Sequence, residues 1–364
     1  MTYKSPDYVR RMAPYQAGKP IAELAREYGL DEARIVKLAS NENPLGVSPK
    51  AQAAIRSVLD GLALYPDGNG FELKSALSRH LGVAMDQLVL GNGSNDVLEL
   101  AARAFLAPSN SAVYSQHAFA VYPLAVQGIG ATGIEVPAKN FGHDLAAMLR
   151  AIRSDTRIVF LANPNNPTGT FVPAPEMERF IAAVPAHVLI VLDEAYNEYL
   201  RPELRAQSVA WLKKYPNLLL TRTFSKVYGL AGLRVGYAVG SAGVADLMNR
   251  VRQPFNVNSI SLAAAAAALD DHAFVQQSYE LNLAGMAQVT GGLQKLELAF
   301  IPSFGNFVTF KVKDAKGVNL SLLKSGVIVR PIAGYGLPDW LRVTIGTETE
   351  NARFLLSLKA AVSA

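Results

Sequence analysis

Six short runs along the middle of the chain are apolar almost from end to end: QLVLG (87–91), SAVYS (111–115), RIVFLAN (157–163), HVLIVLDEAY (187–196), NLLLTRTF (217–224) and LRVGYAV (233–239). A strand with one wet face alternates polar and apolar residues, so runs without alternation predict strands covered on both faces. Helical patterns such as NDVLELAARAFL, DLAAMLRAIR and PEMERFIAAV lie between them. That alternation predicts an α/β fold, a largely parallel sheet between helices, with ligands bound beyond the carboxyl ends of its strands. After about residue 255 the texture changes. A long helical region from Ile260 through the 280s leads into short strands (AFIPS, NFVTFKV, GVIVRP, LRVTIG) and a terminal helix from Glu348, which predicts a smaller α+β lobe. With 364 residues, half of them apolar, the chain can bury the core of two lobes.

Composition removes several kinds of chemistry. Cysteine is absent, so disulfides, thiolate nucleophiles and thiolate metal sites are all excluded. The five histidines, His80, His117, His143, His187 and His272, form no pair at helical ligand spacing, and no metal site is expected. A formal charge of +5 is too diffuse to argue for nucleic acid. The N-terminal stretch lacks an apolar leader pattern, and the longest small-apolar run, SLAAAAAALDD, is too short to span a bilayer. The expectation is a soluble cytoplasmic protein.

Each strand end runs into a polar, turn-rich cluster. GNGSND (91–96) lacks the third glycine of a dinucleotide fingerprint; it reads as a glycine turn opening a helix whose first N–H groups, at Ser94 and Asn95, can hold an anion. The plainer alternative is an N-cap by Ser94. NPNNPTG (163–169) is a rigid turn that also presents amide side chains at a strand end. In DEAY (193–196), Asp193 emerges from a buried strand. It is either a helix cap, with Glu194 solvated, or the partner of a buried cationic nitrogen.

TRTFSKVYGLAGLRVGYAVG (221–240) contains one lysine, Lys226, and Arg234 eight residues later, with no acid to pair either. Lysine is rarely buried unpaired. In an apolar pocket or beside positive charge its amine becomes neutral and nucleophilic, able to form a Schiff base. Arginine keeps its charge and suits a phosphate. A nucleophilic lysine, a buried aspartate and an anion site of hydroxyls, helix N–H groups and an arginine match a pyridoxal 5′-phosphate pocket.

In order and spacing, NPNNPTG, DEAY and TFSKVYGLAGLRVGY resemble the fold-type I pyridoxal-phosphate aminotransferases over essentially the whole chain. APYQAGKPIAELAREYGL, KLASNENPLG, LYPDGNG and VRPIAGYGLPDWLRVTIGTETEN narrow the resemblance to the histidinol-phosphate aminotransferase subfamily. The resemblance implies a large domain with a mostly parallel seven-stranded sheet between helices, plus a smaller α+β domain. Residues 1–44 are then an N-terminal arm and part of the small domain, 45–258 the large cofactor-binding domain, and 259–364 a linking long helix and the C-terminal small domain.

By motif, the resemblance implies that Lys226 joins the cofactor aldehyde and then moves the substrate proton, while Asp193 keeps the pyridine nitrogen protonated. Tyr196 and Asn166 would bond the ring's 3-oxygen, and Phe119 would stack on the ring. Ser94, Asn95, Thr223, Ser225 and Arg234 would hold the 5′-phosphate, with Tyr65 reaching it from the other subunit of a homodimer. Tyr15, Asn41, Arg330 and Arg342 are the implied substrate-binding residues. The implied reaction moves the amino group of histidinol phosphate to 2-oxoglutarate, forming glutamate. Rival readings are an aromatic-amino-acid or phenylpyruvate aminotransferase, a phosphoamino-acid decarboxylase on the same fold, and a non-catalytic pyridoxal-binding regulatory module. The last usually carries a DNA-binding segment, and no such segment is visible here.

Overall fold

The computed structural model describes residues 4–14 and 18–363; Tyr15 lies outside the described residues. The N-terminal arm forms a helix, Ile21–Tyr28, and a short strand β1 (Val36–Lys37). Leu24 and Ala25 of that helix pack with Ile35, Ala39 and Ile328. The arm therefore belongs physically to the C-terminal part of the chain.

The large lobe is built on β2 (Leu88–Gly91), β3 (Ser111–Ser115), β4 (Thr132–Val136), β5 (Thr156–Ala162), β6 (Leu189–Asp193), β7 (Leu218–Thr223) and β8 (Gly236–Val239). They form a seven-stranded sheet in the order β2-β8-β7-β6-β5-β3-β4. Only β8 runs against its neighbours, antiparallel to both β2 and β7. Successive residues feed opposite cores: Ile190 and Leu192 join one buried cluster, Leu189 and Val191 the other. This two-sided burial is the physical reason that the strands show no polar alternation. β4 is the exception. It lies at the sheet edge, and only Val136 of its five residues is buried, so it was invisible as an apolar run.

The topology brings distant motifs together. β2, β5, β6 and β7 share a direction, so all their carboxyl ends lie on one edge, where the reversed β8 begins. Ala162 pairs with Asp193, Asp193 with Thr221, Thr223 with Gly236, and Gly236 with Gly91. Neighbouring strands are about 4.8 Å apart, so loops separated by scores of residues line one short rim.

The smaller lobe contains β9 (Phe300–Ile301), β10 (Phe307–Lys311), β11 (Val327–Ile328), β12 (Arg330–Pro331) and β13 (Trp340–Thr344). β12-β13-β10-β9 form one sheet, and β11 pairs with β1 of the arm. The long helical region is two helices, Ser259–Leu269 and His272–Lys295. The break falls at Asp270 and Asp271, where the Asp271 side chain caps the second helix by accepting from the Phe274 N–H. Among the described residues no helix is long and apolar enough to cross a membrane.

Candidate active site

The rim and the smaller lobe enclose a cavity of about 360 Å³. Ser94, Asn95, Phe119, Asn166, Asp193, Tyr196, Thr223, Ser225, Lys226 and Arg234 line it from the large lobe, Asn41 from the arm, and Arg330 and Arg342 from the small-lobe sheet. Tyr65 does not. It is 83% exposed and stacks on Phe255 with ring centroids 4.8 Å apart. Tyr335, Ser40 and Glu42 also line the cavity, although none was singled out from the sequence.

One end of the cavity is built of groups that can hold an anion. Ser94 is the first residue of the helix Ser94–Phe105, and Gly93 occupies the cap position with no side-chain cap bond. The plain N-cap alternative is thus replaced by an open helix N-terminus, whose N–H groups and dipole favour negative charge. The Gly93 backbone has φ 82°, and a Cβ there would lie 2.6 Å from Nη2 of Arg234. Only glycine lets the guanidinium approach this turn so closely. Gly236 lets the helix end pack against β8: a Cβ there would sit 2.5 Å from the Ser94 nitrogen. Arg234 is itself in the left-handed region (φ 55°), with Nη1 donating to the Ala231 carbonyl at 2.9 Å. Thr223 Oγ1 accepts from the Ser225 N–H at 3.1 Å, which ties the two hydroxyl residues into one turn.

Lys226 sits in the connection between β7 and β8. Its Nζ donates to the Ser40 carbonyl at 3.2 Å and lies 5.7 Å from the Tyr196 ring centroid. Burial pushes its amine down to about 8, assisted by the guanidinium groups of Arg342 and Arg234 and opposed by Glu42 and Asp193. A lysine in this state has a substantial neutral fraction near neutral pH and can attack a carbonyl.

Asp193, at the end of β6, is buried, and burial raises its carboxyl to about 6 against the pull of its hydrogen bonds. Oδ2 accepts from the Tyr122 hydroxyl at 2.9 Å and Oδ1 from the Ala195 N–H at 3.2 Å. The aspartate is therefore a held carboxylate at a cavity wall. Glu194 beside it is not solvated. It is 4% exposed and takes both Nε and Nη2 of Arg222 on Oε2, at 3.0 and 2.9 Å.

The remaining polar side chains form a chain of contacts. Asn41 Nδ2 donates to the Tyr196 hydroxyl at 2.8 Å, and its Oδ1 accepts from the Thr344 hydroxyl at 3.2 Å. Asn41 thus engages Tyr196 while lining the cavity. Burial pushes the Tyr196 phenol up to about 12, so it remains a proton donor. Arg342 Nη1 donates to the Asn166 amide oxygen and Nη2 to the Ala39 carbonyl. The peptide bonds before Pro164 and Pro167 are cis. Sequence reading missed Tyr122 because it lies in an apolar helix, and Arg222 because its partner Glu194 follows the neighbouring strand β6, 28 residues away.

A flat aromatic aldehyde carrying a phosphate fits this donor set. In such a fit the open helix N-terminus and Arg234 would receive the phosphate, Lys226 the aldehyde and Asp193 a ring nitrogen, with Phe119 available to the ring face.

Comparisons with known proteins agree with this chemistry. Residues 33–358 match the family model for aminotransferase class I and II. The chain is 62% identical to a histidinol-phosphate aminotransferase of Nitrosospira multiformis, over 98% of this chain and 92% of that protein. It is also 62% identical to one of Dechloromonas aromatica, over 98% of both. A crystal structure of histidinol-phosphate aminotransferase from Sinorhizobium meliloti, in complex with pyridoxal-5′-phosphate, is similar with TM-score 0.91 and 28% identity, covering 100% of this chain and 98% of that one. An aspartate aminotransferase of Thermus thermophilus, 23% identical with TM-score 0.85 over 99% of this chain and 100% of its own, shares the fold. The chain belongs to the class I and II aminotransferases and, within them, to the histidinol-phosphate aminotransferase family.

Proposed function

We propose that the chain is a pyridoxal-phosphate-dependent aminotransferase that moves the amino group of histidinol phosphate to 2-oxoglutarate, giving imidazole-acetol phosphate and glutamate, a step of histidine biosynthesis. The observation that carries this reading is one cavity lined by a depressed lysine amine, a buried carboxylate and two arginines from the small-lobe strands. Bound there, pyridoxal phosphate supplies an electrophilic aldehyde and a ring that takes up the electrons released when the substrate's Cα–H bond breaks.

The protein does the rest. Lys226 Nζ, mostly free of its proton once above about pH 8, would hold the cofactor at its aldehyde end and, once released by substrate, would be the base for the Cα proton. Asp193 holds a proton on the ring nitrogen. Tyr196, positioned by Asn41, and Asn166, positioned by Arg342, serve the 3-oxygen. The open helix end at Ser94 and Asn95, with Thr223, Ser225 and Arg234, anchors the phosphate.

Substrate choice rests on arginine. Histidinol phosphate has a phosphate and no α-carboxylate, whereas glutamate has two carboxylates, and the planar guanidinium fork accepts either anion. Arg330 and Arg342 are assigned that task, with Tyr15 as a further contact. The proposal includes a homodimer. Leu45, Leu59, Leu62, Leu64 and Phe71 are exposed in one stretch of chain around Tyr65, and Phe255, on which Tyr65 stacks, is exposed too. Apolar surface of this extent marks an association face, and a second copy there would carry Tyr65 toward the neighbouring phosphate site.

The test is absorbance of the purified protein with added pyridoxal phosphate. The reading predicts a band of a protonated Schiff base that Lys226→Ala abolishes; a colourless wild-type protein that ignores the cofactor refutes it.

A further inference from the structure

We infer that Tyr122 is a positioning residue for this reaction, whose phenol holds Asp193 as an oriented anion facing the cofactor's ring nitrogen. The inference rests on the cofactor reading above and goes beyond it, because Tyr122 does not line the cavity.

Tyr122 is the second residue of the helix Val121–Ile129 and is fully buried. Its ring stacks on Phe160 at 4.9 Å with planes 9° apart, and Phe119 meets it edge-on at 5.9 Å. Held on two sides, the ring can direct its hydroxyl to one place only, Oδ2 of Asp193 at 2.9 Å. The Ala195 N–H fixes the other oxygen. The carboxylate is thereby fixed in rotation with its remaining lone pairs available to the cavity that it lines. Phe119, the residue available for ring stacking, touches the same tyrosine. One aromatic stack thus supports both the floor of the cofactor site and its acid.

The charges agree. Burial raises the Asp193 carboxyl, and the Tyr122 hydrogen bond is the strongest influence pulling it back toward the ionised form. Burial and the neighbouring Asp193 hold the phenol well above its usual range, so it remains a donor. The other groups acting on Asp193 are the Thr221 hydroxyl on the paired strand, which lowers its carboxyl less than the phenol does, Glu194, tied to Arg222, and Tyr196 and Lys226 in the cavity. Without the phenol, the carboxylate becomes a stronger base and draws the shared proton away from the ring nitrogen, weakening the ring as an electron sink.

The test is Tyr122→Phe, which removes one oxygen and keeps the stack. In cofactor-free protein, ¹³C NMR of labelled aspartate, with Asp193 assigned through Asp193→Asn, should report its titration midpoint rising by about one unit. In holoenzyme with ¹⁵N-labelled ring nitrogen, the resonance should move toward the unprotonated position. The kcat should fall by about tenfold or more while KM changes by less than about threefold. Phe160→Leu, which loosens the ring's support but keeps the hydroxyl, should give a clearly smaller shift in the Asp193 midpoint. An unchanged midpoint in folded Tyr122→Phe, or an equal shift in Phe160→Leu, overturns the inference. Failure of the cofactor reading would show separately, as a wild-type protein without the Lys226-dependent band, and would leave the carboxyl titration intact.

Discussion

Replacing Arg222 with methionine isolates what the buried ion pair behind Asp193 contributes. Arg222 and Glu194 side chains are 12% and 4% exposed, and two guanidinium nitrogens lie within 3.0 Å of one carboxylate oxygen. Burial raises the carboxyl of nearby Glu198, on which the charge of Arg222 acts in the opposite sense. Arg222→Met therefore leaves Glu194 buried without its counter-charge, a loss of about 3–5 kcal/mol where one partner of such a pair is removed. Replacing both ends, Glu194→Met with Arg222→Met, removes the desolvated charge as well and should restore most of that loss. Urea unfolding of cofactor-free protein, at one fixed protomer concentration so that association does not enter, gives the comparison. A single variant within about 1 kcal/mol of wild type, or a double variant no better than the single, would refute the reasoning. The pair also bears on the site, because β6 and β7 end in Asp193 and Thr223 and are paired at Asp193 and Thr221. The single variant should lose cofactor affinity along with stability, and the double variant should regain both.

The depressed amine of Lys226 predicts how cofactor loading depends on pH. An amine at about 8 is neutral in about one molecule in ten at pH 7, against about one in three thousand at the usual value; the loading rate should rise roughly tenfold per pH unit up to about 8 and then level off, and a rise continuing past pH 9.5 (about one unit below the usual value) would contradict this. Gly93→Ala puts a Cβ 2.6 Å from Arg234 Nη2 at φ 82°, so equilibrium dialysis should find affinity for pyridoxal phosphate reduced by about tenfold or more; unchanged affinity would mean that the turn does not face the phosphate. Asn41→Ala frees the Tyr196 hydroxyl and should lower kcat by about tenfold, whereas an effect confined to KM would make Asn41 a substrate contact.

Legibility in the sequence follows burial. The central strands were readable because both faces are covered, and the site loops because polar, turn-forming residues interrupt apolar runs at strand ends. β4 escaped because an edge strand with one buried residue has no pattern to detect. The helix break at Asp270 and Asp271 escaped because its flanks are equally helical. Lys226 was legible as a lysine without an acidic neighbour, and Asp193 as a carboxylate at the end of an apolar strand. Their supports were not: Tyr122 reads as ordinary core, and Arg222 meets Glu194 only because β6 and β7 are neighbours. Asn41 was readable as a polar loop residue, but its engagement of Tyr196, 155 positions away, exists only in three dimensions. Tyr65 was suggested only by the family resemblance; within one chain it is exposed and outside the cavity.

The most direct measurement of the central claim follows the nitrogen atom itself. The purified protein is given pyridoxal phosphate, [¹⁵N]glutamate and imidazole-acetol phosphate, and the products are resolved by mass spectrometry. The account predicts ¹⁵N-labelled histidinol phosphate and 2-oxoglutarate in equal amounts, with none formed by Lys226→Ala and with faster transfer than to phenylpyruvate. Label released as ammonia, or a clear preference for phenylpyruvate, would contradict it.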